Sequence, residues 1–462
     1  MKIPKITGKI IVIISSIIIA LCAFMLIYTG YDYVTTYRAQ QTKITETKTF
    51  VLQAEAESIQ DLAIVLQKKV KRGLLFVTTI LFLLSIIISK AYTGNRQSLW
   101  FVAISFPILL AINIVLIWNF QVQSGKLKMQ SNVVENNKDV EAFFAIHKQQ
   151  NPNIYKTKAY HIPIGFLFYS IEVGKQNHPH DDTVTLYCYP WLTYDKEKDK
   201  DIKGTFIVMN ATKEVSWAQD SLERENKLIL NWQEQIQIRG NFDYAKYPFD
   251  QQQITLSFEH NQSLKNILLT PDFDAYKVAT IPYPQLDKSI MIPGWTITNA
   301  YFYYDLSNYP TDFGIPNYWQ IKNYPFLSYT IQIQRNFFEP LITSLLPILI
   351  ILFIVFASLI ILSRLINVHS SINGLLALLS SLFFANLVSY QTLQRAISTP
   401  NITYFKAFYM ITYAIIFMAA LNCLLYAYRP NFFVNYEKNF LPRLLYWPLA
   451  TTIFFAITLY FF

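Results

Sequence analysis

Seven long stretches without a charged residue constrain this chain more than any other feature of its sequence. Each approaches the roughly 20 apolar residues that a helix needs to cross the hydrocarbon of a bilayer. Hydrophobic residues make up 53% of the 462 residues and charged residues only 15%, well below the roughly 25% usual in soluble domains. This balance excludes a disordered chain, a collagen and an ordinary water-soluble enzyme. The seven runs are Ile10–Thr29, Gly73–Ser89, Leu99–Trp118, Leu341–Ser363, Ser371–Val388, Ala407–Tyr428 and Leu444–Phe462.

The stretch between Trp118 and Leu341 has a different character, because it contains most of the charge and no span. Its apolar runs are short and alternate with polar residues, and Asn, Asp, Pro and Lys clusters separate them. This pattern predicts an antiparallel β-sandwich or barrel. A polar all-β domain cannot lie in lipid, so we expect it on one side of the bilayer. The predicted strands are Ile162–Ile171, Thr183–Tyr189, Thr205–Met209, Gln235–Ile238, Gln253–Phe258, Trp295–Tyr304 and Leu327–Gln334.

The alternation of spans predicts that the β domain is extracytoplasmic. With the N-terminus inside, three spans bring Asn119 to the outside, and four later spans leave the C-terminus outside. The run Ile10–Thr29 is longer than the apolar core of a signal peptide and lacks a small-residue cleavage site, so an uncleaved anchor is the better interpretation. The basic cluster at 68–72 would lie outside, against the positive-inside tendency. The net charge of +9 indicates cytoplasmic loops rather than a nucleic-acid partner.

A short heptad pattern precedes the second run. Its apolar positions are spaced 4-3-4-3-4, which is typical of a helix that packs along one seam. Two interpretations stay open: packing on a hairpin partner near residues 30–48, or self-association in an oligomer. The seam consists of Leu52, Ala56, Ile59, Ala63, Leu66 and Val70.

Side chains able to hold a metal cluster at one place, His178-Pro-His180-Asp181-Asp182. Two histidines and two carboxylates could bind zinc or calcium, but a solvated β-turn is the interpretation we favour. The three cysteines, Cys22, Cys188 and Cys423, form no obvious pair. The sequence also contains no nucleophile elbow, phosphate-binding loop or HExxH motif. We therefore expect no enzyme activity, no metal and no cofactor.

The most specific motif is the segment Gly240–Phe258. Tyr247-Pro-Phe-Asp250 forms its tip, and the alternation of Ile254, Leu256 and Phe258 then predicts a strand. An aromatic and a carboxylate on a turn far from any catalytic partner indicate contact with another surface. The segment resembles the loop, with the pattern aromatic-Pro-aromatic-Asp, of the pentameric ligand-gated ion channels, the Cys-loop or Pro-loop receptors. The bracketing cysteines are absent, as in the bacterial members of that family.

The resemblance extends over about residues 150–462. Arg335-Asn-Phe-Phe followed by Pro347 is similar to the end of the last receptor strand and the first channel helix, and Trp295 to a tryptophan late in the sandwich. The four closing spans, with a short inner loop at Arg429–Pro442, fit the bacterial pattern. The first 130 residues have no counterpart in the usual receptors and resemble the extra N-terminal helices of some bacterial relatives.

By this resemblance, the second of the four closing helices lines the pore of a five-fold assembly. Three possible registers differ by about one turn, so all select the same mostly apolar face, which is typical of a gate that closes by dewetting. Glu339 is the one acidic residue between Gln334 and Tyr436, so no carboxylate ring can form in the pore and charge selectivity stays open. The predicted pore face is His369, Ile372, Asn373, Leu376, Leu379, Ser380, Phe383, Asn386, Leu387 and Tyr390.

The resemblance also implies a ligand site and a coupling site. Relatives bind agonists between subunits, under a hairpin walled by aromatic rings. The matching hairpin is about Asp305–Tyr324, with Tyr309, Phe313, Tyr318 and Trp319 as candidate ligand residues. Ordinary packing is the alternative, because the chain is 16% aromatic throughout. The predicted coupling residues are Tyr247, Pro248, Phe249, Asp250 and Arg335. They would act on the loop near Gln394–Asn401, and alanine at Phe249 or Asp250 should leave the sandwich folded.

These features predict a homopentameric ligand-gated channel of a bacterial cytoplasmic membrane, opened by an unidentified small molecule. Three domains are expected: an N-terminal helical region (1–129), an extracytoplasmic β-sandwich (130–337) and a four-helix pore domain (338–462). The alternative is a non-conducting membrane sensor that keeps the receptor fold and signals through its N-terminal helices. The uncharged pore and the added helices favour the sensor, while the coupling loop favours the channel.

Overall fold

The structure, a computed structural model, describes two compact units. The described residues are 96–124, 127, 129–175, 182–262, 265–276, 283–311, 314, 322–364, 368–397, 399–428 and 436–462. The helical unit contains Arg96–Ser124, Leu341–Leu393 and Ile402–Phe462, and the β unit contains Gly125–Pro340 and Gln394–Asn401. The first two predicted spans, the heptad seam and the basic cluster at 68–72 lie outside the described residues.

The described part of the chain contains six α-helices. All except α2 are long and apolar enough to cross a membrane, which is the property that the last five apolar runs predict. The chain is therefore a membrane protein with a β domain. The helices are α1 (Arg96–Ser124), α2 (Asn137–Gln150), α3 (Phe338–Arg364), α4 (Val368–Ala396), α5 (Tyr404–Tyr428) and α6 (Tyr436–Phe461).

The β unit consists of two five-stranded sheets. The first has the order β1-β9-β10-β7-β4 and the second β5-β6-β3-β2-β8. Pairing is antiparallel except between β2 and β8, which run parallel. The strands are β1 (Val133–Val134), β2 (Tyr160–Lys175), β3 (Asp182–Asp195), β4 (Phe206–Val208), β5 (Ala211–Arg224), β6 (Lys227–Arg239), β7 (Gln251–His260), β8 (Ile267–Pro271), β9 (Trp295–Asn308) and β10 (Lys322–Arg335).

The two sheets share one hydrophobic core. Alternation along β7 places Ile254, Leu256 and Phe258 inside, each with 1% of its surface exposed, because successive side chains of a strand point to opposite faces. Phe166 on β2 stacks on Phe258 at 4.5 Å between ring centroids, and these strands belong to different sheets. The result is a sandwich, as the alternating runs predict.

Strand β5 is the element that the alternation rule misses. All but its first residue are exposed, so it has no buried face and its sequence shows no apolar period. It forms because β6 supplies hydrogen-bond partners along its length. Strand β8 lies at the other edge of the same sheet and pairs with β2, but it is short and mostly buried. In β5, by contrast, pairing and not burial defines the strand.

The helical unit is held by a cluster of buried side chains from α3, α4 and α5. Val355, Leu379 and Cys423, one from each helix, are at most 1% exposed. Helix α1 packs on α6, and the Trp118 indole nitrogen donates to the Tyr404 hydroxyl at 2.9 Å. The Tyr404 hydroxyl in turn shares a 2.7 Å hydrogen bond with that of Thr458. A helix from the N-terminal region thus belongs to the same compact unit as the four closing helices.

Candidate functional site

The loop between β6 and β7 is tied to the end of β10 by a buried ion pair. Arg335 donates from Nε to Asp250 Oδ1 at 2.7 Å and from Nη2 to Asp250 Oδ2 at 3.0 Å. The Asp250 side chain is 1% exposed and that of Arg335 17%. Gln252 Nε2 also donates to Oδ2, at 2.8 Å. The carboxylate therefore accepts three hydrogen bonds from residues of the β unit. A buried charge requires such partners.

Aromatic rings surround the guanidinium. Its central carbon lies 4.1 Å from the ring centroid of Trp295, 4.9 Å from that of Tyr247 and 5.9 Å from that of Tyr244. Burial disfavours the charged form of Arg335, but the hydrogen bonds and the negative charge of Asp250 outweigh it and raise the pKa above its ordinary value. The cation is permanent, and the rings limit how far it can move.

The rest of the predicted coupling loop is buried as well. Tyr247, Pro248 and Phe249 all lie below the surface, and Phe249 is 3% exposed. Its ring lies 5.4 Å from that of Phe337. This changes one expectation, because both Phe249 and Asp250 contribute to packing although they occupy a turn. Alanine at either position should destabilise the fold instead of leaving it unaffected.

The ion pair lies where the chain leaves the β unit. Strand β10 ends at Arg335 and helix α3 begins at Phe338, so only Asn336 and Phe337 connect them. The Asn336 amide donates to Gly294 O at 2.9 Å, and Thr296 Oγ1 donates to Asn336 Oδ1 at 2.8 Å. A displacement of the β6–β7 loop is thus linked through one ion pair to the residue three positions before a membrane helix. The segment Gln394–Asn401, which begins in the last turn of α4, is itself part of the β unit.

Helix α4 buries some residues of the predicted pore face and exposes others. Ile372, Leu379 and Asn386 are 4%, 1% and 0% exposed, and the first two pack against α3 and α5 in the core of the helical unit. Asn386 Nδ2 donates to Tyr409 O at 3.2 Å. Side chains enclosed by their own subunit cannot line a channel shared by several, so the assignment of these three to the pore face is corrected here.

The other predicted pore residues differ in their exposure. Asn373, Ser380 and Phe383 are exposed, whereas Leu376, Leu387 and Tyr390 are half-buried. The side chain of His369 lies outside the described residues. A different set forms one continuous exposed stripe, with spacings of three and four residues. This exposed stripe consists of Asn373, Ala377, Ser380, Phe384, Val388, Gln391 and Arg395, and it is more polar than the predicted face.

Of the four predicted ligand residues, Tyr309 falls within the described residues. It packs against the small cluster of Ile154, Leu268, Tyr324 and Phe326, with its ring 6.2 Å from that of Phe326. Phe313, Tyr318 and Trp319 lie outside the described residues. The position of Tyr309 is compatible with ordinary packing, and its ligand role stays a prediction.

The sequence did not indicate a second aromatic site, which the fold assembles on β3, β5 and β6. A cavity of about 400 Å³ opens there. We call it the aromatic pocket. The rings of Tyr189 and Trp191 and one carboxylate, Asp220, line it, together with amides, while Trp232 is 4% exposed and packs in the core of the sandwich. The lining contains no basic residue. The lining residues are Tyr189, Pro190, Trp191, Ala218, Asp220, Ile229, Asn231, Trp232 and Gln233.

Two local features open and shape the aromatic pocket. The register of β5 against β6 shifts between Trp217 and Asp220, and Ala218 there has a φ of 52°, so the strand bulges at the rim. Opposite, Trp191 lies directly over Gly165, where a Cβ atom would come within 2.1 Å of the indole ring. Trp191 Nε1 donates to Asp272 Oδ2 at 3.0 Å. The indole of Trp191 is thus fixed by its contact with Gly165 and by its hydrogen bond to Asp272.

A buried carboxylate lies behind the aromatic pocket. Glu234 is 2% exposed, and Trp232 Nε1 and Ser216 Oγ donate to it at 3.3 and 3.2 Å. Burial, with a smaller contribution from the negative charge of Glu214, raises the pKa of Glu234 to about 7. The indole of Trp232 therefore has a hydrogen-bond partner whose charge changes near neutral pH.

No group of three or more metal-ligating side chains is found among the residues that the structure describes. His178, His180 and Asp181 of the predicted cluster fall outside them, so the role of that cluster is not tested. Comparison of the sequence with models of known protein families gives no match, and comparison with curated proteins gives none either. The function must therefore be argued from the site itself.

Proposed function

We propose that this chain is one subunit of a homopentameric ligand-gated ion channel in a bacterial cytoplasmic membrane, with its β unit extracytoplasmic. The observation that carries the proposal is the ion pair between Arg335 and Asp250. Arg335 lies three positions before helix α3, and the pair joins the β6–β7 loop to the end of β10, the strand that precedes this helix. The motif that resembles the coupling loops of receptors thus contains Asp250, which binds Arg335 where the chain leaves the β unit.

A ligand would act through the β strands that hold the aromatic pocket. Aromatic faces attract cations, and a nearby carboxylate adds to that attraction. Tyr189 and Trp191 with Asp220 therefore favour a small organic amine. Strand β6 leads from this pocket into the coupling loop, since it ends at Arg239 and the loop begins at Gly240. A ligand that binds more tightly when β6 is displaced would shift the population of the open state.

The exposed stripe of α4 is the pore-lining surface in this proposal. In a five-fold assembly, each subunit turns one face of α4 to the axis, and that face must be exposed in the single chain. The stripe meets this condition, with Phe384 and Val388 both 63% exposed. Five copies of Phe384 and five of Val388 supply the apolar constriction of the pore. The polar residues of the stripe on either side keep the rest of the pore hydrated.

Two measurements on the purified full chain test the proposal. Native mass spectrometry in detergent should give a mass of five subunits, and a monomer or tetramer would contradict it. Planar bilayers containing the protein should show current when primary or quaternary amines are added. Acetate at the same concentration serves as the control, because it carries no ammonium group and Asp220 would repel an anion. Current that is absent for every ligand, from protein shown to be pentameric, would exclude the channel.

The non-conducting sensor remains the second candidate, and the packing of α1 supports it. Trp118 of α1 is 8% exposed and donates to Tyr404 at the start of α5. A helix of the N-terminal region that shares a hydrogen bond with the bundle can transmit a change in the bundle to a partner. Amine binding measured by calorimetry without any current would favour this sensor over the channel.

A further inference from the structure

A second cavity of the β unit, of about 540 Å³, has the opposite electrostatic character to the aromatic pocket. It lies where the last turns of α2, the segment 151–159 and the first residues of β2 meet. Lys148, Lys156 and Lys158 line it, together with the rings of Phe144, Tyr155 and His161. We call it the basic pocket. It shares no residue with the aromatic pocket or with the coupling loop.

The backbone that carries two of these lysines is fixed to the sandwich. Asn266 Nδ2 donates to Ile154 O at 2.7 Å and to Thr157 Oγ1 at 3.3 Å. Ile154 itself is 4% exposed and packs in a small core. The Tyr155 hydroxyl lies 2.8 Å from His147 Nδ1. The segment between α2 and β2 is thus anchored through Ile154, Tyr155 and Thr157, so Lys156 and Lys158 project from a fixed stretch of backbone.

The charges in the basic pocket are not balanced by neighbours. Its lining contains no acidic side chain, and none of the three lysines forms an ion pair with another residue that the structure describes. Lys158 Nζ lies 3.3 Å from Lys198 O and 4.3 Å from the ring centroid of Tyr160. A basic residue in the last turn of a helix is favourable by itself, which accounts for Lys148. It does not account for Lys156 and Lys158.

The positive charge of the basic pocket is local, because the β unit as a whole does not share it. Across residues 125–340, acidic side chains outnumber basic ones, so the unit as a whole does not attract anions. Three ammonium groups around one cavity repel one another, and an anion with two or more charges would relieve that repulsion. Lysine also binds phosphate groups well as a point charge.

We propose that the basic pocket binds a small phosphate ester with an aromatic or other planar group. The phosphate would lie among Lys148, Lys156 and Lys158, and the planar group would lie against Phe144 and His161, whose rings already meet edge to face at 4.9 Å. This site is separate from the amine site and does not depend on the channel proposal. It is a binding site only, since no step of chemistry is implied.

The probe is phenyl phosphate, titrated into the purified full chain by calorimetry at constant ionic strength. Inorganic phosphate is the comparison that isolates the ring, and sodium acetate isolates the charge. We expect saturable binding of phenyl phosphate, weaker binding of inorganic phosphate and none of acetate. Equal heats from phenyl phosphate and acetate, or no saturation, would overturn the proposal.

Variants locate the site. The pair of changes Lys156→Gln and Lys158→Gln should weaken phenyl phosphate binding at least about tenfold, since each removes one charge-assisted contact. Both side chains are exposed, so the fold should survive, as circular dichroism can verify. Lys138→Gln is the matched control, because Lys138 is exposed on α2 and does not line the pocket. If it weakens binding as much as the pair does, the attraction is diffuse and the site is refuted.

Discussion

Arg335 grips Asp250 through two parallel hydrogen bonds of 2.7 and 3.0 Å while the ring of Trp295 covers its guanidinium at 4.1 Å. These two residues are 85 positions apart in the chain and belong to the loop before β7 and to the end of β10. The pair fixes the geometry at the point where the β unit continues into helix α3.

Removing either member of the ion pair alone should therefore lower the free energy of unfolding strongly. Asp250→Ala or Arg335→Ala leaves a buried charge without a partner, which costs about 3–5 kcal/mol. The double variant should cost less than the sum, because it removes both charges together. Thermal unfolding followed by circular dichroism measures the three variants. Additive losses would show that the two residues are not coupled.

An exposed pair provides the control for this experiment. Lys196 and Glu223 also form an ion pair, but their side chains are 35% and 67% exposed. Water screens such a pair, so Glu223→Gln should change the melting temperature little. A large loss from Glu223→Gln would indicate that charge in general, and not burial, determines the stability of the β unit.

Gly165 should control the shape of the aromatic pocket. A methyl group at this position meets the Trp191 indole at 2.1 Å, so Gly165→Ala must push the ring out of place. We expect the affinity for amines to fall at least about tenfold, or about 1.4 kcal/mol. Gly174→Ala on the same strand is the matched control, because a Cβ there meets no atom within 4 Å. Equal affinities of the two variants would exclude Trp191 from the site.

Glu234 should make the stability of the β unit depend on pH. Its pKa in the folded state is about 7, above the ordinary 4.5, so the folded state holds the proton more tightly than the unfolded chain. Its stabilising contribution is complete below about pH 4.5 and is lost as the pH rises through about 7. Glu234→Gln should remove this loss and stabilise the protein at pH 8 by up to about 3 kcal/mol.

The neighbouring carboxylate allows a second test of the same cause. Glu214 contributes to the raised pKa of Glu234 by charge repulsion, so Glu214→Gln should lower that pKa. The pH-dependent loss of stability should then end at a lower pH and be smaller. Melting temperatures between pH 5 and pH 8 measure both variants. An unchanged profile in Glu234→Gln would assign the pH dependence to another group.

The exposed stripe of α4 makes a prediction that separates pore from lipid. Phe384 on the stripe and Phe417 on α5 are 63% and 67% exposed, so the two are matched in residue type and accessibility. Phe384→Ser should hydrate the constriction and give current without ligand, whereas Phe417→Ser should give none. Leak from both variants or from neither, in protein that remains pentameric, would contradict the pore-lining role of the stripe.

Arg395 lies on the same stripe, one turn beyond Gln391, and the stripe carries no acidic residue. Five copies around an axis would form a ring of positive charge that favours anions. We expect the reversal potential in a chloride gradient to follow chloride, and Arg395→Gln to weaken that preference. A cation preference in the unmodified protein would show that Arg395 does not face the ions.

Local patterns in the sequence are sufficient to assign this chain to the membrane proteins with a β domain. Long uncharged runs can be satisfied only by membrane-spanning helices, and short alternating runs only by strands with one buried face. Both patterns involve only residues that are close in sequence. They can therefore be recognised without knowing which helices or strands pack together. Six of the seven predicted strands lie within strands of the structure, and the seventh, Thr205–Met209, exceeds β4 by one residue at each end. Of the five runs that fall in the described residues, four lie within its helices and the last extends one residue beyond α6. The pairing of Asp250 with Arg335 was not visible in this way.

The tertiary structure alone decided which faces are buried and which side chains meet. An apolar helix in a membrane shows no contrast between lipid, a neighbouring helix and a pore, so the sequence placed Leu379 on the pore face although it packs inside its own bundle. The edge strand β5 has no buried face and therefore no period. Both pockets combine residues from separate elements, and no spacing along the chain records that they converge. Pairing across the fold is a non-local property, and only the folded chain specifies it.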